Sequence, residues 1–525
     1  MQNNPVLTPS VERAGFALLL TALVTPVWSL SAFLTQDGPS HVYNAFLLFH
    51  LNETPFRDHF TLGALLQPTW LSQLILGGLV HVFSPVTADK LVATACLLIV
   101  PLSFRYFLRQ VEPSAPRSLS WASIPFAASH ALYMGFWNFC LGYGVSFLAL
   151  AQFWRFWQQP SARGGAFLGG IAFLLAVCHP VPVAVFLLVI ANVILYDVVT
   201  LWMRASPPAW PAELMHRSGW LGLWLLPAVT FFAVSSVHRG GISVWRPFWS
   251  TLRELDRMWT LVVHSRFERW PAAIVAITIA IAVATVLWRR RRANGGDAWL
   301  VAALVVLAAY FLAPDTTSGG DHLAERLLLF PWPLAVVWIA HMSRTVRAPA
   351  WLGPVVASTA LVLLGLRWPV QRRLDEMLVD YRAAAAHVPQ GATVLHISLV
   401  RGGIGTPEAR PSLTLSPFVH AIGYQAVERR LIDLQNYEAR TSFFPVVARP
   451  ATLEAISRFS QVELPGPACV ELSGPGDLEP DAVLVFGRAE AGRLCPELEA
   501  ELNSAYALEH SAGEGRALLY LRRRR

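Results

Sequence analysis

Charge is what this chain has least of. Only 14% of its 525 residues are Asp, Glu, Lys or Arg, against 54% hydrophobic, and the mean hydropathy is +0.45. That balance excludes a soluble globular protein. It puts most of the chain in a bilayer, where only helices and closed barrels satisfy the backbone. The apolar runs also lack alternation: they are continuous and roughly 17 to 23 residues long, which excludes barrel strands and leaves helices. Lysine is scarce, and the arginines crowd into short segments between apolar runs. The net charge of +7 is therefore a topology signal and not a nucleic-acid footprint.

Cysteine is scarce as well. Of the five, Cys96, Cys140 and Cys178 fall in apolar runs as small core residues. No CxxC or His/Cys spacing marks a zinc site. Cys469 and Cys495 lie in the polar C-terminal part and can pair if that part is extracytoplasmic. No A-x-A site closes the first apolar run, so it reads as a retained helix rather than a cleaved signal peptide. No internal repeat is visible.

What is present is a series of about eleven membrane-length runs. They lie near 15–34, 86–104, 119–134, 139–154, 166–179, 181–202, 218–237, 271–288, 298–313, 326–342 and 350–367. Residues 1–14 read as a polar tail. Residues 35–85 read as a long loop with short interfacial helices, the last over 67–83. With a cytoplasmic N-terminus and that stretch interfacial, every Arg-rich short loop (105–117, 155–163, 204–217, 289–292, 344–347) falls inside, as the positive-inside rule demands. If 67–83 crossed, all later loops would invert.

The expected architecture is thus an α-helical polytopic membrane domain over 1–369, followed by a small soluble α/β or α+β extracytoplasmic domain over 370–525. Strand-like runs in that second part are 393–398, 468–472, 482–486 and 517–521, with helices near 371–387, 425–434 and 489–506. The expected location is the inner (plasma) membrane, crossed many times, and the Arg, Ala, Gly and Pro bias suits a bacterium of high genomic GC content.

This topology collects polar groups on one outer face: Asp37 and His41; Asp58 and His59; Asn138; His179; His238, Arg239 and Arg246; and Asp315, Asp321, His322, Glu325 and Arg326. An acid at the mouth of a membrane helix is costly unless it pairs, meets water or does work. Gln36-Asp37-Gly38-Pro39-Ser40-His41-Val42 follows the first run directly. A helix started by Pro39 sets Asp37 and His41 on one face. The bland reading of Asp37 is a helix cap. The second stretch, Asp315 to Arg326, turns at Gly319-Gly320 into a helix whose N-terminus and Arg326 favour an anion such as a lipid phosphate. Its bland reading is a solvated helix start. Phe136 to Phe139 reads mainly as an aromatic anchor around Asn138, His179-Pro180 as a helix end, and Arg289 to Arg292 as a topology anchor. The segment from Pro417 and His420 through Asn436, Tyr437 and Glu438 to Phe443, Phe444 and Pro445 has aromatics and amides suited equally to a sugar or to a packed small domain.

A first helix, an Asp opening the first outer loop, interfacial helices, many further spans and an outer C-terminal domain resemble the C-type (GT-C) integral-membrane glycosyltransferases. The resemblance implies transfer of a sugar from a polyprenyl-phosphate or polyprenyl-diphosphate carrier to an envelope acceptor (lipid, glycan or protein). It implies that Asp37 acts as general base or holds the acceptor. Substrate contacts would come from His41, Asn138, Arg239, Arg246, Asp321, His322, Glu325 and Arg326, with Arg326, Arg246 or Arg239 on the phosphate. Many members carry a paired acid; here the second position is Gly38, so no residue is assigned to a metal, and a divalent metal stays open without a paired-acid motif to support it. Other readings are a transporter or flippase, a metal-dependent membrane hydrolase, and a non-catalytic envelope assembly protein. The first wants repeats and mid-span acids that are missing.

Overall fold

The computed structural model describes residues 8–203, 210–237, 243–290, 295–317, 320–407, 409–441, 443–460, 468–473, 478–487 and 492–523. Apolar helices dominate: Pro9–Ser29, Pro85–Val111, Trp137–Gln158, Ala162–Cys178, Pro180–Met203, Trp210–Val237, Arg269–Arg289, Ala298–Leu312, Pro331–Met342 and Leu352–Ala385. Among the described residues, seven helical segments have the length and hydropathy of a membrane crossing. The chain is a multi-pass helical membrane protein with a small mixed sheet at its C-terminal end.

The first helix starts earlier than its apolar run. Thr8 accepts a hydrogen bond from the Val11 amide and Pro9 occupies the first turn, a preorganised start. The buried Glu12 pairs with Arg105 at 2.6 Å and accepts from Trp121 Nε1 at 3.0 Å. The helix is therefore drawn into residues expected to be a tail, and it ends at Ser29 rather than near 34.

The expected span over 119–134 is broken into a 3-10 segment, Arg117–Ser123, and two helical turns, Ile124–Ala127 and His130–Met134. Its Trp121 end meets Glu12 and its Met134 end meets Asp37, so it still traverses the bundle beside the first helix. Backbone groups freed by such breaks need partners inside the protein. Arg367, 1% exposed, supplies two: Nη1 donates to Ala128 O and Nη2 to Leu261 O, each at 2.5 Å. Its Nε donates to Glu268 Oε2 at 2.8 Å.

Trp70–Val80 has 11 residues. At about 1.5 Å per residue it reaches only about half of the hydrocarbon thickness. Ser72 N at its start donates to Asn138 Oδ1 at 2.8 Å. The chain leaving it enters Pro85–Val111, where Asp89 accepts from Tyr424 OH at 2.6 Å. The Thr69 hydroxyl at its start donates to Phe443 O at 2.5 Å, so both ends of the short helix lie on the face that carries the C-terminal residues.

That C-terminal part holds a five-stranded sheet in the order Ile432–Asp433, Thr393–Ser398, Ala482–Phe486, Ala517–Arg522, Tyr506–Ala512. The first three strands are parallel and the remaining pairings antiparallel. The strand expected over 468–472 is only a bridge from Ala468 to Leu494, beside a Cys469–Cys495 disulfide. Pro-Gly-Pro at 465–467 and Gly474-Pro475-Gly476 flank that run in the sequence and deny it ladder length.

The segment after the first helix is clamped into this assembly. Phe60–Leu62 pairs antiparallel with Val446–Ala448. Asp375, on the long Leu352–Ala385 helix, accepts from Ser31 N and Ala32 N, both at 2.8 Å. Tyr43 OH donates to Leu431 O at 2.7 Å. The loop that opens with Asp37 is thus held from both sides.

Candidate active site

Asp37 caps the Gly38–His50 helix. Its amide donates to Met134 O at 2.9 Å and that of Gln36 to Tyr133 O at 3.2 Å, so the broken span fixes the backbone. Gly135 allows this approach. Its φ is +83°, and a Cβ there would stand 2.5 Å from Gly38 N, so glycine alone fits. The Asp37 side chain is buried. Tyr437 OH donates to Oδ2 at 3.2 Å, and His420 Nε2 faces Oδ1 at 3.8 Å. Burial lifts the carboxyl to about 6; His41 opposes the rise and Glu438 adds to it.

His41 lies one turn on. Its Nδ1 is 2.9 Å from Glu438 Oε1, and Glu438 Oε2 accepts from Gln73 Nε2 at 3.1 Å. Burial alone would lower this imidazole, but the Glu438 carboxylate reverses the sign and leaves it raised. Burial pushes His420 down to about 3, and His396 and His41 add to the fall. Asp37 therefore stands between a histidine that a carboxylate holds up and one that burial pushes down.

Asp37, His41, His420 and Tyr437 line a polar cavity of about 320 Å³ together with Asp321, His322 and Arg326. Phe136, Phe139, Phe443 and Phe444 add aromatic walls. Arg326 is buried: its guanidinium lies 4.2 Å from the Phe136 ring centroid, and Nη1 is 3.1 Å from His179 Nε2. Among the described residues no carboxylate forms a salt bridge with it. Arg326 and His179 also line a second, apolar groove of about 370 Å³, walled by Val185, Leu188, Phe232, Ala309 and Leu327. One arginine thus stands where an apolar channel meets the polar cavity.

Of the residues singled out from the sequence, Asp37, His41, Asn138, Asp321, His322 and Arg326 meet at this cavity. Asn138 is occupied by fold: it accepts from Ser72 N and donates to Thr69 O, tying down the start of Trp70–Val80. Glu325 sits behind Arg326, 3.1 Å from His130 Nδ1 and 3.4 Å from His322 Nδ1. Arg246 is elsewhere, in ion pairs with Glu254 and Asp315. Arg239, like His238, lies outside the described residues.

Sequence reasoning assigned no particular role to Tyr437, Glu438, Arg440 or Thr441. They reach the cavity or its second layer from 400 residues along the chain. The only signal was the aromatic and amide content of 417–445.

No family model matches the chain, and no curated relative does. Solved structures do. ArnT from Cupriavidus metallidurans bound to undecaprenyl phosphate matches with a TM-score of 0.54 at 10% identity, over 98% of each chain. The apo state of the same protein gives 0.55 at 11%, over 97% of this chain and 98% of that one. ArnT is a GT-C glycosyltransferase, and the likeness is one of fold over the whole length. Helical bundle, clamped loop and C-terminal sheet together give this chain the GT-C fold that it shares with ArnT.

Proposed function

We propose that the protein is a membrane glycosyltransferase that moves a sugar from a polyprenyl-phosphate donor to an envelope acceptor on the extracytoplasmic face. One observation carries this: a buried arginine joins an apolar groove to a polar cavity that contains a buried carboxylate. The groove suits an isoprenoid chain. Arg326, with His179, suits the carrier phosphate, because a guanidinium in an aromatic, water-poor setting stabilises the charge that develops on a departing phosphate. Asp37 suits the base that takes the proton from an acceptor hydroxyl. The ArnT structure with undecaprenyl phosphate bound supports the class of lipid.

The sides are assigned by charge and redox chemistry. Arg105, Arg155, Arg290 and Arg344 lie at helix ends away from the cavity, which the positive-inside rule puts in the cytoplasm. A Cys469–Cys495 disulfide suits an oxidising compartment for residues 370–525, while 1–369 carries the crossings. No metal ligands are assigned; Arg326 supplies the positive charge, and transfer is expected to continue in EDTA.

The test is transfer by the purified full-length protein offered a panel of polyprenyl-phosphate sugars, beside its Asp37→Asn variant. Product from the wild type and its loss in a folded variant support the reading. Absence of product and of donor binding across the panel would refute it.

A further inference from the structure

The pairing of Glu438 with His41 goes beyond this reading and rests on it for Asp37's role. Glu438 is 0% exposed and sits on the short Tyr437–Arg440 turn. That turn is pressed onto the helix that Asp37 caps by two buried contacts. Asn44 Nδ2 donates to Asn436 Oδ1 at 2.9 Å, and His41 Nδ1 meets Glu438 Oε1 at 2.9 Å. The other carboxylate oxygen accepts from the neutral amide of Gln73. Among the described residues, no lysine or arginine forms a salt bridge with Glu438. A buried carboxylate needs a compensating cation, and His41 is the one in contact.

We propose that Glu438 is a positioning residue for Asp37: its carboxylate anchors His41 as an imidazolium, and that fixed positive charge beside Asp37 keeps the base ionised. His41 lies one helical turn from Asp37, whose carbonyl accepts the His41 amide at 3.0 Å. The charged and titratable groups around the pair come from four directions. Asp37 is on the same helix and Asp89 on Pro85–Val111; His420, Tyr437 and Glu438 come from the outer segment; Arg326 stands across the cavity. The Phe444 ring packs on His41 with centroids 5.5 Å apart and keeps water from the contact. Of the two charges, the imidazolium acts more strongly on Asp37 than Glu438 does. Removing both therefore leaves Asp37 easier to protonate.

The experiment follows the His41 ring by NMR in full-length protein with 15N-labelled histidine, assigned by comparison with His41→Gln. In Glu438→Gln the midpoint is expected to fall by about one pH unit or more, and in Glu438→Asp to stay near that of the wild type. The acid limb of kcat/KM is then expected to move to higher pH in Glu438→Gln and not in Glu438→Asp. A purely structural contact would change thermal stability or KM and leave that limb in place. An unchanged His41 midpoint, or an unmoved limb in folded Glu438→Gln, overturns the proposal. If Glu438→Gln does not fold, His41→Gln removes the same positive charge and must move the limb in the same direction. If no donor gives product, the functional reading fails by itself, and the His41 titration still decides whether Glu438 sets its charge.

Discussion

Gly38 packs against Asp89 with no room for a side chain: a Cβ at 38 would stand 2.8 Å from Asp89 Oδ2 and 2.4 Å from Thr35 Oγ1. The missing second acid beside Asp37 is thus a packing requirement of this chain. A carboxylate does stand close by, but it comes from another helix. Asp89 accepts from Trp137 Nε1 at 2.9 Å and from Tyr424 OH at 2.6 Å, and so binds the bundle to the C-terminal segment beside the Asp37 turn. Restoring the pair by Gly38→Glu is expected to displace the turn and abolish transfer. Gly38→Ala should destabilise by roughly 1–3 kcal/mol, the usual cost of overpacking. Thermal unfolding in detergent measures the second effect; an alanine variant as stable as the wild type would contradict the packing.

Asp37→Asn is expected to lower kcat by about 10² to 10⁴, the range of a lost general base, with little change in donor binding. The wild-type rate should also depend on pH with a definite sign. A base works ionised, and burial raises this carboxyl to about 6. The rate should therefore rise as pH increases through about 6 and level off above it. A rate that falls over that interval would assign the limb to a group needed in its protonated form.

The crossings were legible because an apolar run of membrane length has one solution in lipid, a helix. The break at 124–134 was not: Pro125, Ser129 and Gly135 are compatible with a continuous span, and what permits the break is Arg367, more than 230 residues away, reaching Ala128 O. Asp37 and Arg326 were legible for the same reason as each other. Each is a charge at the end of an apolar run, and such charges are rare without a task. His420 and Glu438 carried no such mark, since an acid or histidine in a polar segment is ordinary. What brings them to Asp37 and His41 is burial against a helix nearly 400 positions earlier. Arg246 shows the converse: it looked available in sequence, but Glu254 and Asp315 neutralise it.

Arg367 and Glu268 form the ion pair on which the broken span depends. Both are buried, and Glu268 also accepts the amides of Val263, His264 and Ser265 at 2.7 to 3.0 Å. Arg367→Leu strands that carboxylate and the carbonyls of Ala128 and Leu261. The expected cost is about 3–5 kcal/mol, as for other severed buried pairs. Adding Glu268→Gln, which keeps an acceptor for the amides without the charge, should recover part of the loss. A double variant no more stable than Arg367→Leu alone would mean that the carbonyl contacts, and not the pair, carry the energy.

Arg326→Lys keeps the charge and removes the planar fork that lies against Phe136 and reaches His179. If the carrier phosphate sits there, donor KM should rise by about tenfold or more, the equivalent of roughly 1.4 kcal/mol, one charge-assisted hydrogen bond. The groove itself is tested separately from the headgroup. Ala184 lines it and is exposed, so Ala184→Trp can fold while filling the channel. That variant should turn over a donor with a short isoprenoid chain nearly as fast as the wild type, and lose efficiency as the chain lengthens. An effect equal for short and long chains would place the lipid elsewhere on the bundle. No effect on either, together with a normal KM in Arg326→Lys, would remove the groove and its arginine from the account of donor binding.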